Sequence, residues 1–171
     1  REYVAFAKAH LLSPVSIGKI ANQNLHSIAS ADLIIITHAS LLAEARKLAL
    51  FHLQQDGYQT VVATADQVFT EFSGGRPDPS ALRDFVKMIF DKAGQAIQQR
   101  PKYLLLFGSA SYDYKNRIAG NRNLVPGYES ENSLDPLNTY TSDDFFGLLD
   151  DADDINRNNA AATIDMGIGR I

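Results

Sequence analysis

Residues 32–37 read Asp-Leu-Ile-Ile-Ile-Thr, an apolar run in which β-branched side chains follow one another without a polar interruption. A strand with one face in water alternates apolar and polar residues, whereas an unbroken run is typical of a strand covered on both faces. Residues 58–63 predict a second buried strand, residues 103–107 a third and residues 162–168 a fourth. These four runs predict a sheet that is buried between two layers of helices.

Helical segments separate the first three strands. Helices are predicted over 40–55 and 79–99, because apolar residues recur there every three or four positions, and a short helical turn is predicted around 66–72. Ser40 is the expected N-cap of the first helix and Gly57 its stop, whereas in the second helix Asp78 is the expected N-cap and Pro79 the first helical residue. The residues expected to face the sheet are Leu42, Ala45, Leu48, Ala49 and His52 in the first helix, and Leu82, Phe85, Val86, Ile89, Phe90, Ala93 and Ile97 in the second.

Strand, helix, strand, helix, strand is the pattern of a parallel sheet with right-handed crossovers. We therefore predict an α/β fold, a three-layer α/β/α sandwich around a mainly parallel four-stranded sheet, with the strand order 2-1-3-4. A single domain is expected over 1–171, divided into a lead-in segment 1–30 with an edge strand at 3–7, a βαβαβ core 31–107, a long acidic loop region 108–160 and a last strand within 161–171.

Composition narrows the class of protein. The chain has 171 residues, of which 45% are hydrophobic and 21% charged, as in an ordinary globular domain. Its net charge of −4 is unlike that of a nucleic-acid binder, and no stretch approaches the roughly 20 apolar residues of a membrane span. Cysteine is absent, which excludes a cysteine nucleophile and thiolate metal sites within these residues. Because the chain begins at Arg1 and stops within an apolar run at Ile171, we expect it to be a piece of a longer protein.

Acidic residues are concentrated late in the chain. Residues 129–165 hold ten acids and a single base, Arg157. Crowded carboxylates repel one another unless they are screened, protonated or bridged by a cation, and Ca²⁺ accepts irregular shells of oxygen ligands. Two interpretations stay open, a solvated acidic loop face and a structural Ca²⁺ site. The candidate metal ligands are Asp143, Asp144, Asp150 and Asp151.

Other catalytic patterns are weak. His38 and Ser40 follow the first strand, but the Gly-x-Ser-x-Gly pattern of a serine nucleophile is missing. Gly167 and Gly169 lack the third glycine of a dinucleotide-binding loop and lie after the wrong strand. Residues 112–117 form a polar set after the third strand, either as a loop-fixing ion pair or as the rim of a binding site. No catalytic or cofactor-binding residue is assigned.

Several blocks of sequence together resemble the gingipain-type family of cysteine peptidase domains. They are Asn-Gln-Asn-Leu-His at 22–26, the first strand with its preceding alanine at 31–37, Leu-Leu-Leu-Phe-Gly-Ser-Ala-Ser-Tyr-Asp-Tyr-Lys-Asn-Arg at 104–117, Tyr-Thr-Ser-Asp-Asp-Phe-Phe-Gly-Leu-Leu-Asp-Asp at 140–151 and Ile-Asp-Met-Gly-Ile-Gly-Arg-Ile at 164–171. Each block alone is a weak motif, but their order and spacing are fairly specific. Within that family the likeness is strongest to the sortase branch of the type IX secretion system.

The resemblance implies a caspase-like catalytic unit of two subdomains, of which this chain is the N-terminal one. It implies that the catalytic histidine and cysteine lie in a downstream subdomain, the direct partner of this one, and that the substrates are proteins or peptides. It also implies a secreted or outer-surface enzyme that processes exported proteins, and a role for the first subdomain in holding Ca²⁺. Asp143 matches the family, whereas Ser109 stands where an acid often follows the third strand.

Two alternatives remain open. The chain could instead be a non-catalytic α/β scaffold or binding domain of a surface protein, in which case the parent would lack the downstream histidine and cysteine. It could also be a flavodoxin-like module that binds a small molecule, which would require that a ligand be retained on purification.

Overall fold

A parallel sheet forms the centre of the computed structural model, which describes residues 3–8, 11–16, 18–94, 96–131, 134–135, 137–153 and 163–171. The strands are, in chain order, β1 (Leu33–Thr37), β2 (Thr60–Thr64), β3 (Tyr103–Phe107), β4 (Tyr128–Glu129), β5 (Thr141–Ser142) and β6 (Gly167–Arg170). The helices are α1 (Leu42–Asp56), α2 (Ala65–Phe72) and α3 (Pro79–Ala93).

The central sheet has the order β2-β1-β3-β6, and all of its strand pairs are parallel. Ile35 in β1 lies between Val62 of β2 and Leu105 of β3, so the two neighbouring strands are in direct register with the first. The predicted order 2-1-3-4 is confirmed, with β6 as the fourth strand. The strands β4 and β5 form a separate antiparallel ribbon.

Alternate side chains of β1 enter two different hydrophobic layers. Ile34 and Ile36 pack with α2 and α3 in the larger cluster, whereas Leu33 and Ile35 pack with α1 in the smaller one. The three consecutive isoleucines are each 0% exposed, as a strand covered on both faces requires. The three-layer sandwich predicted from the unbroken apolar run is therefore confirmed.

The start of helix α1 differs from the prediction, because a histidine caps the turn before the helix and no serine caps the helix itself. A 3-10 turn at Ala39–Leu41 precedes the helix, and the Nδ1 atom of His38 accepts a hydrogen bond from the backbone amide of Ser40 at 3.2 Å. Ser40 is thus inside the turn and is not the N-cap of α1. The helix ends as predicted, at Gly57 with φ 70, a left-handed conformation that glycine adopts without strain.

The helices α2 and α3 have the strongest sequence signals. Thr64 and Gln67 form a reciprocal capping box at the start of α2, and the Asp78 side chain accepts the Ser80 amide at 2.9 Å at the start of α3. The expected helix over 79–99 is too long, since α3 ends at Ala93 where Gly94 takes a φ of 53. Ile97, expected to face the core, is 70% exposed.

Two strand predictions are corrected. The last strand is β6 at Gly167–Arg170 rather than 162–168, and Ala162 lies outside the described residues. Both Gly167 and Gly169 belong to this strand. Gly167 packs closely against β3, since a Cβ atom there would lie 2.9 Å from the Tyr103 ring. Residues 3–7 are exposed and form no strand, since no described strand pairs with them.

The described part of the region 108–160 is packed against the sheet rather than forming a free loop. It contains the β4–β5 ribbon and a 3-10 turn at Asp144–Gly147. Val125, Phe146 and Leu149 are each 0% exposed and join the larger hydrophobic cluster. Among the described residues, no helix is long and apolar enough to cross a membrane.

We expect Gly108→Ala to destabilise the fold by about 2 kcal/mol, measured by denaturant unfolding. Gly108 has φ 153, and a Cβ atom there would lie 3.0 Å from Leu124 Cβ and 3.1 Å from Val125 Cγ2. Gly169→Ala is the matched control, because nothing lies within 4 Å of a Cβ at that position. An equal loss of stability in the two variants would contradict this view of the turn.

Candidate functional site

A cleft of about 440 Å³ opens beyond the C-terminal ends of β3 and β6. In open parallel sheets, ligands bind in the crevice outside the carboxyl ends of the strands, so this is where a site is expected. The polypeptide after β3 forms one wall, the β4–β5 ribbon forms another, and the last residue of β6 closes the base. The lining residues are Ser109, Ala110, Ser111, Tyr112, Gly127, Glu129, Thr141, Ser142, Asp143 and Arg170.

Arg170 connects the segments that meet at this cleft. Its guanidinium donates to both carboxylate oxygens of Asp143, from Nε at 2.8 Å and from Nη2 at 2.7 Å. Its Nη1 atom also donates to the carbonyls of Gly108 at 2.8 Å and Val125 at 2.7 Å. Bidentate guanidinium–carboxylate pairs are among the strongest side-chain contacts, and these side chains are only 18% and 29% exposed. One arginine therefore holds β6, the chain after β3 and the chain after β5 together.

The loop after β3 is fixed by amide and carboxylate contacts. Asn123 accepts the Ser111 amide at 3.0 Å and donates to the Tyr114 carbonyl at 3.2 Å. The Asp113 carboxylate accepts the Ile118 amide at 2.7 Å. Both interpretations of residues 112–117 have support, since Asp113 fixes the loop through a side-chain contact to the backbone rather than an ion pair, and Tyr112 lines the cleft.

Glu129 differs from the other charged groups of the cleft. Its side chain is half-buried, and burial raises the pKa of its carboxyl group above the ordinary value. Among the described residues, nothing forms a hydrogen bond or an ion pair with this carboxylate. Sequence reasoning did not single out Glu129, because a lone glutamate carries no motif.

The four predicted metal ligands are not brought together in one group. Asp143 is paired with Arg170, and Asp151 is paired with Lys87 at 2.9 Å, which lowers the pKa of Asp151. Asp144 is exposed at the start of its 3-10 turn. Asp154, which belongs to the same acidic run, lies outside the described residues.

Asp150 instead meets two other aspartates. In the described part of the chain, Asp150, Asp153 and Asp165 each offer a carboxylate oxygen, and these atoms all lie within 4.8 Å of one another. Asp165 also accepts the Leu149 amide at 2.9 Å, which holds it beside the loop. Three clustered carboxylates fit the oxygen-rich shell of Ca²⁺, so the metal prediction stays open at this place. No local pattern pointed to Asp165 as a ligand, because the fold alone brings it near the acidic run.

The described histidines make local contacts. His38 bonds to Ser40 Oγ at 2.8 Å within the turn before α1. His26 bonds to Glu71 at 2.7 Å and stacks on Phe72, which fastens the lead-in segment to α2. His52 bonds to Asp56 on α1, and His10 lies outside the described residues.

Comparison with known proteins identifies relatives of the whole arrangement. Residues 26–171 match the profile of Peptidase family C25. The chain is similar to the crystal structure of dimeric latent PorU from Porphyromonas gingivalis, with a TM-score of 0.76 and 32% sequence identity. The similarity covers 95% of this chain but only 16% of that one. Among curated protein sequences, none matches the chain.

We expect Arg170→Lys to lower the free energy of unfolding by about 2 kcal/mol, because lysine cannot form the bidentate pair and reach the carbonyls as well. Chemical denaturation of Arg170→Lys, of Asp143→Asn and of the double variant should show that the two losses in the free energy of unfolding are strongly non-additive. Lys47→Gln is the control, since its pair with Glu44 is exposed and should contribute less than about 1 kcal/mol. Additive effects of the Arg170 and Asp143 variants would contradict the bridging role.

If Ca²⁺ binds the three-aspartate group, millimolar Ca²⁺ should raise the melting temperature and EDTA should lower it, since a ligand of the native state stabilises by mass action. Asp165→Asn should weaken the effect, because the amide keeps the bond to Leu149 but removes a charged ligand. Asp144→Asn should leave the effect unchanged. If Asp143→Asn abolished the effect instead, the Ca²⁺ site would lie at Asp143, one of the ligands predicted from the sequence. Identical melting temperatures in Ca²⁺ and in EDTA would support a solvated acidic loop without a bound cation.

Proposed function

The chain belongs to peptidase family C25, the gingipain family of cysteine peptidases, and we propose that it is the N-terminal supporting subdomain of a cysteine endopeptidase. One combination of observations carries the proposal. The chain holds a four-stranded parallel sheet with a crevice at its carboxyl edge, yet it contains no cysteine to act as a nucleophile. We therefore assign the catalytic cysteine to another part of the parent polypeptide, and the resemblance to the family assigns the catalytic histidine there as well.

The division of roles follows from the chemistry of thiol peptidases. A histidine-activated thiolate attacks the peptide carbonyl, and both groups must be held within hydrogen-bond reach of each other. This chain supplies neither group in that role. Its contribution is to form the walls of the crevice in which a polypeptide is held, because positioning a substrate lowers the barrier even when the chemistry occurs on a neighbouring domain.

The surface beside β6 is suited to receive the catalytic subdomain. Alternate amides of the last strand bond to the β3 side, from Gly167 to the Lys102 carbonyl and from Ile171 to the Leu106 carbonyl. The intervening amides of Ile168 and Arg170 face the open edge, where the described residues offer no partner strand. An unpaired edge of this kind readily accepts another strand or a covering segment.

The α1 face of the sheet is also incompletely covered. A groove of about 570 Å³ lies between α1 and β6, with Tyr58, Tyr103 and Leu105 among its lining residues. On this face β6 presents Gly167 and Gly169, so a second element can approach its backbone closely. We assign this groove and the open edge to the remainder of the same catalytic domain, because the PorU chain is far longer than the part that this chain matches.

We further propose that the parent enzyme is secreted or held at the outer cell surface and processes exported proteins, as a sortase-like component of type IX secretion. The support is the 32% identity to PorU together with the likeness of the sequence blocks at 104–117, 140–151 and 164–171. The proposed partners are the downstream catalytic subdomain and the protein or peptide substrates.

Separate expression of this chain and of the rest of the parent polypeptide tests the proposal. The chain alone should cleave no peptide, because it has no thiolate, and mixing the two parts should produce cleavage that iodoacetamide blocks. Gly169→Leu should reduce this reconstitution without unfolding the chain, because nothing in the chain itself lies within 4 Å of that position.

Ala43→Leu, on the exposed surface of α1, adds a side chain of the same size and should leave the reconstitution intact. Peptide cleavage by the repurified chain alone would contradict the assignment of the nucleophile to another domain. A parent polypeptide whose other domains lack a cysteine and a histidine would support a non-catalytic scaffold or binding domain instead.

A further inference from the structure

Half of the central sheet is left without a helix on the face that carries α1. Helix α1 packs over β1 and β2, whereas β3 and β6 form the floor of the groove of about 570 Å³ beside it. Neighbouring strands lie about 4.8 Å apart and packed helices about 10 Å apart, so two bare strands leave the width of one helix. The length also fits, because a strand of five residues such as β3 extends about 16 Å, which is the length of a helix of about eleven residues.

The surfaces around this groove suit an apolar contact. Leu33, Tyr58, Tyr103 and Leu105 are among its lining residues. A Cβ atom built on Gly169 meets nothing within 4 Å, so the floor is open to close approach by another element. The groove therefore has the apolar walls and the glycine floor that a packed helix requires.

Helix α1 adds to this apolar surface. Leu50, Phe51 and Leu53 are 52%, 55% and 52% exposed. Single exposed apolar side chains are ordinary, but three within four residues beside an apolar groove indicate a contact surface.

The connections between the strands of the sheet all follow one hand. The step from β1 to β2 goes toward one edge of the sheet, with α1 on one face. The steps from β2 to β3 and from β3 to β6 go toward the other edge, and their connections lie on the opposite face. Val125, Phe146 and Leu149 place the β3–β6 connection there, because they join the cluster that contains α2 and α3. Direction and face are therefore linked, as the strong preference for right-handed crossovers requires.

This rule excludes the polypeptide that directly follows β6 from the groove. A further parallel strand beside β6 would continue in the direction of the last step, so its crossover would lie on the face of α2 and α3. An antiparallel strand there needs only a hairpin, which covers neither face. The lead-in segment is also fastened to the opposite face, where Leu25 joins the larger cluster and its amide bonds to Glu71 of α2 at 2.8 Å.

We propose that the groove receives an α-helix of the catalytic subdomain that is separated from β6 by at least one complete strand connection, and that this helix packs beside α1. The occupant is taken from the same polypeptide because this chain matches only 16% of the PorU chain. The inference rests on the proposed function, since it takes a catalytic subdomain as the partner, and it divides the docking surface in two. The open edge of β6 receives the strand that follows, and the groove receives a later helix.

Photo-crosslinking in the intact parent polypeptide tests this division. Tyr103→p-benzoylphenylalanine places a reactive group in the groove, at a side chain that is 46% exposed in this chain. His52→p-benzoylphenylalanine places the same group on the wall formed by α1. Both should crosslink within one polypeptide to the same segment, which should begin more than about 30 residues after Ile171, the size of a strand–crossover–strand unit. Asp66→p-benzoylphenylalanine, on the exposed surface of α2, is the control and should not reach that segment.

A second substitution checks that the crosslinked segment lies in the groove. Gly169→Leu should lower the yield of the crosslink from position 103 severalfold, because its side chain fills the floor that the helix occupies. Ala43→Leu adds a side chain of the same size on the exposed surface of α1 and should leave the yield unchanged.

A crosslink from the groove to the residues directly after Ile171 would overturn the proposal. So would a crosslink to a second copy or to a separate protein, the absence of any crosslink from position 103, or crosslinks from the two walls to different segments. None of these outcomes depends on peptide cleavage. A parent polypeptide that fails the reconstitution test for activity can still give the expected crosslinks, and an active one can fail to give them.

Discussion

The whole structure depends on burying β1 on both of its faces. Ile34, Ile35 and Ile36 have no exposed surface, so a layer must lie on each side of the sheet. The chain meets this requirement with α1 on one face and with α2 and α3 on the other, by crossovers that keep the neighbouring strands parallel. Parallel strands end at the same edge, and for this reason the loops after β3 and β6 meet there to form a cleft.

The second constraint is the arginine at the end of β6. Its guanidinium bonds to Asp143 and to the carbonyls of Gly108 and Val125, which belong to three different stretches of the chain. Without such a group, the long connection between β3 and β6 would have little to fix its position above the sheet. The pair also neutralises Asp143, one of the two acids that line the cleft among the described residues.

Much of the fold was predictable because its signals are local. Apolar runs predicted the central strands, and Asp78 and Gly57 marked a start and an end of the helices correctly. The last strand was placed too early in the chain because Gly169 resembles a turn residue, whereas Gly167 lies in the strand in close contact with Tyr103. The site was less predictable, since Arg170 and Asp143 are 27 positions apart and Asp165 reaches the acidic run only through the fold.

The family relationship and the geometry of the cleft concern different aspects of this domain. The chain belongs to the peptidase family yet has no cysteine, and under the proposed function the open surface beside β6 is where the catalytic subdomain would be accommodated. Among the described residues that line the cleft, Glu129 has no ionic partner and Tyr112 is exposed. Under the proposed function the two tasks are divided between subdomains, because holding a polypeptide and cleaving its peptide bond need different groups at different distances from the reacting carbonyl.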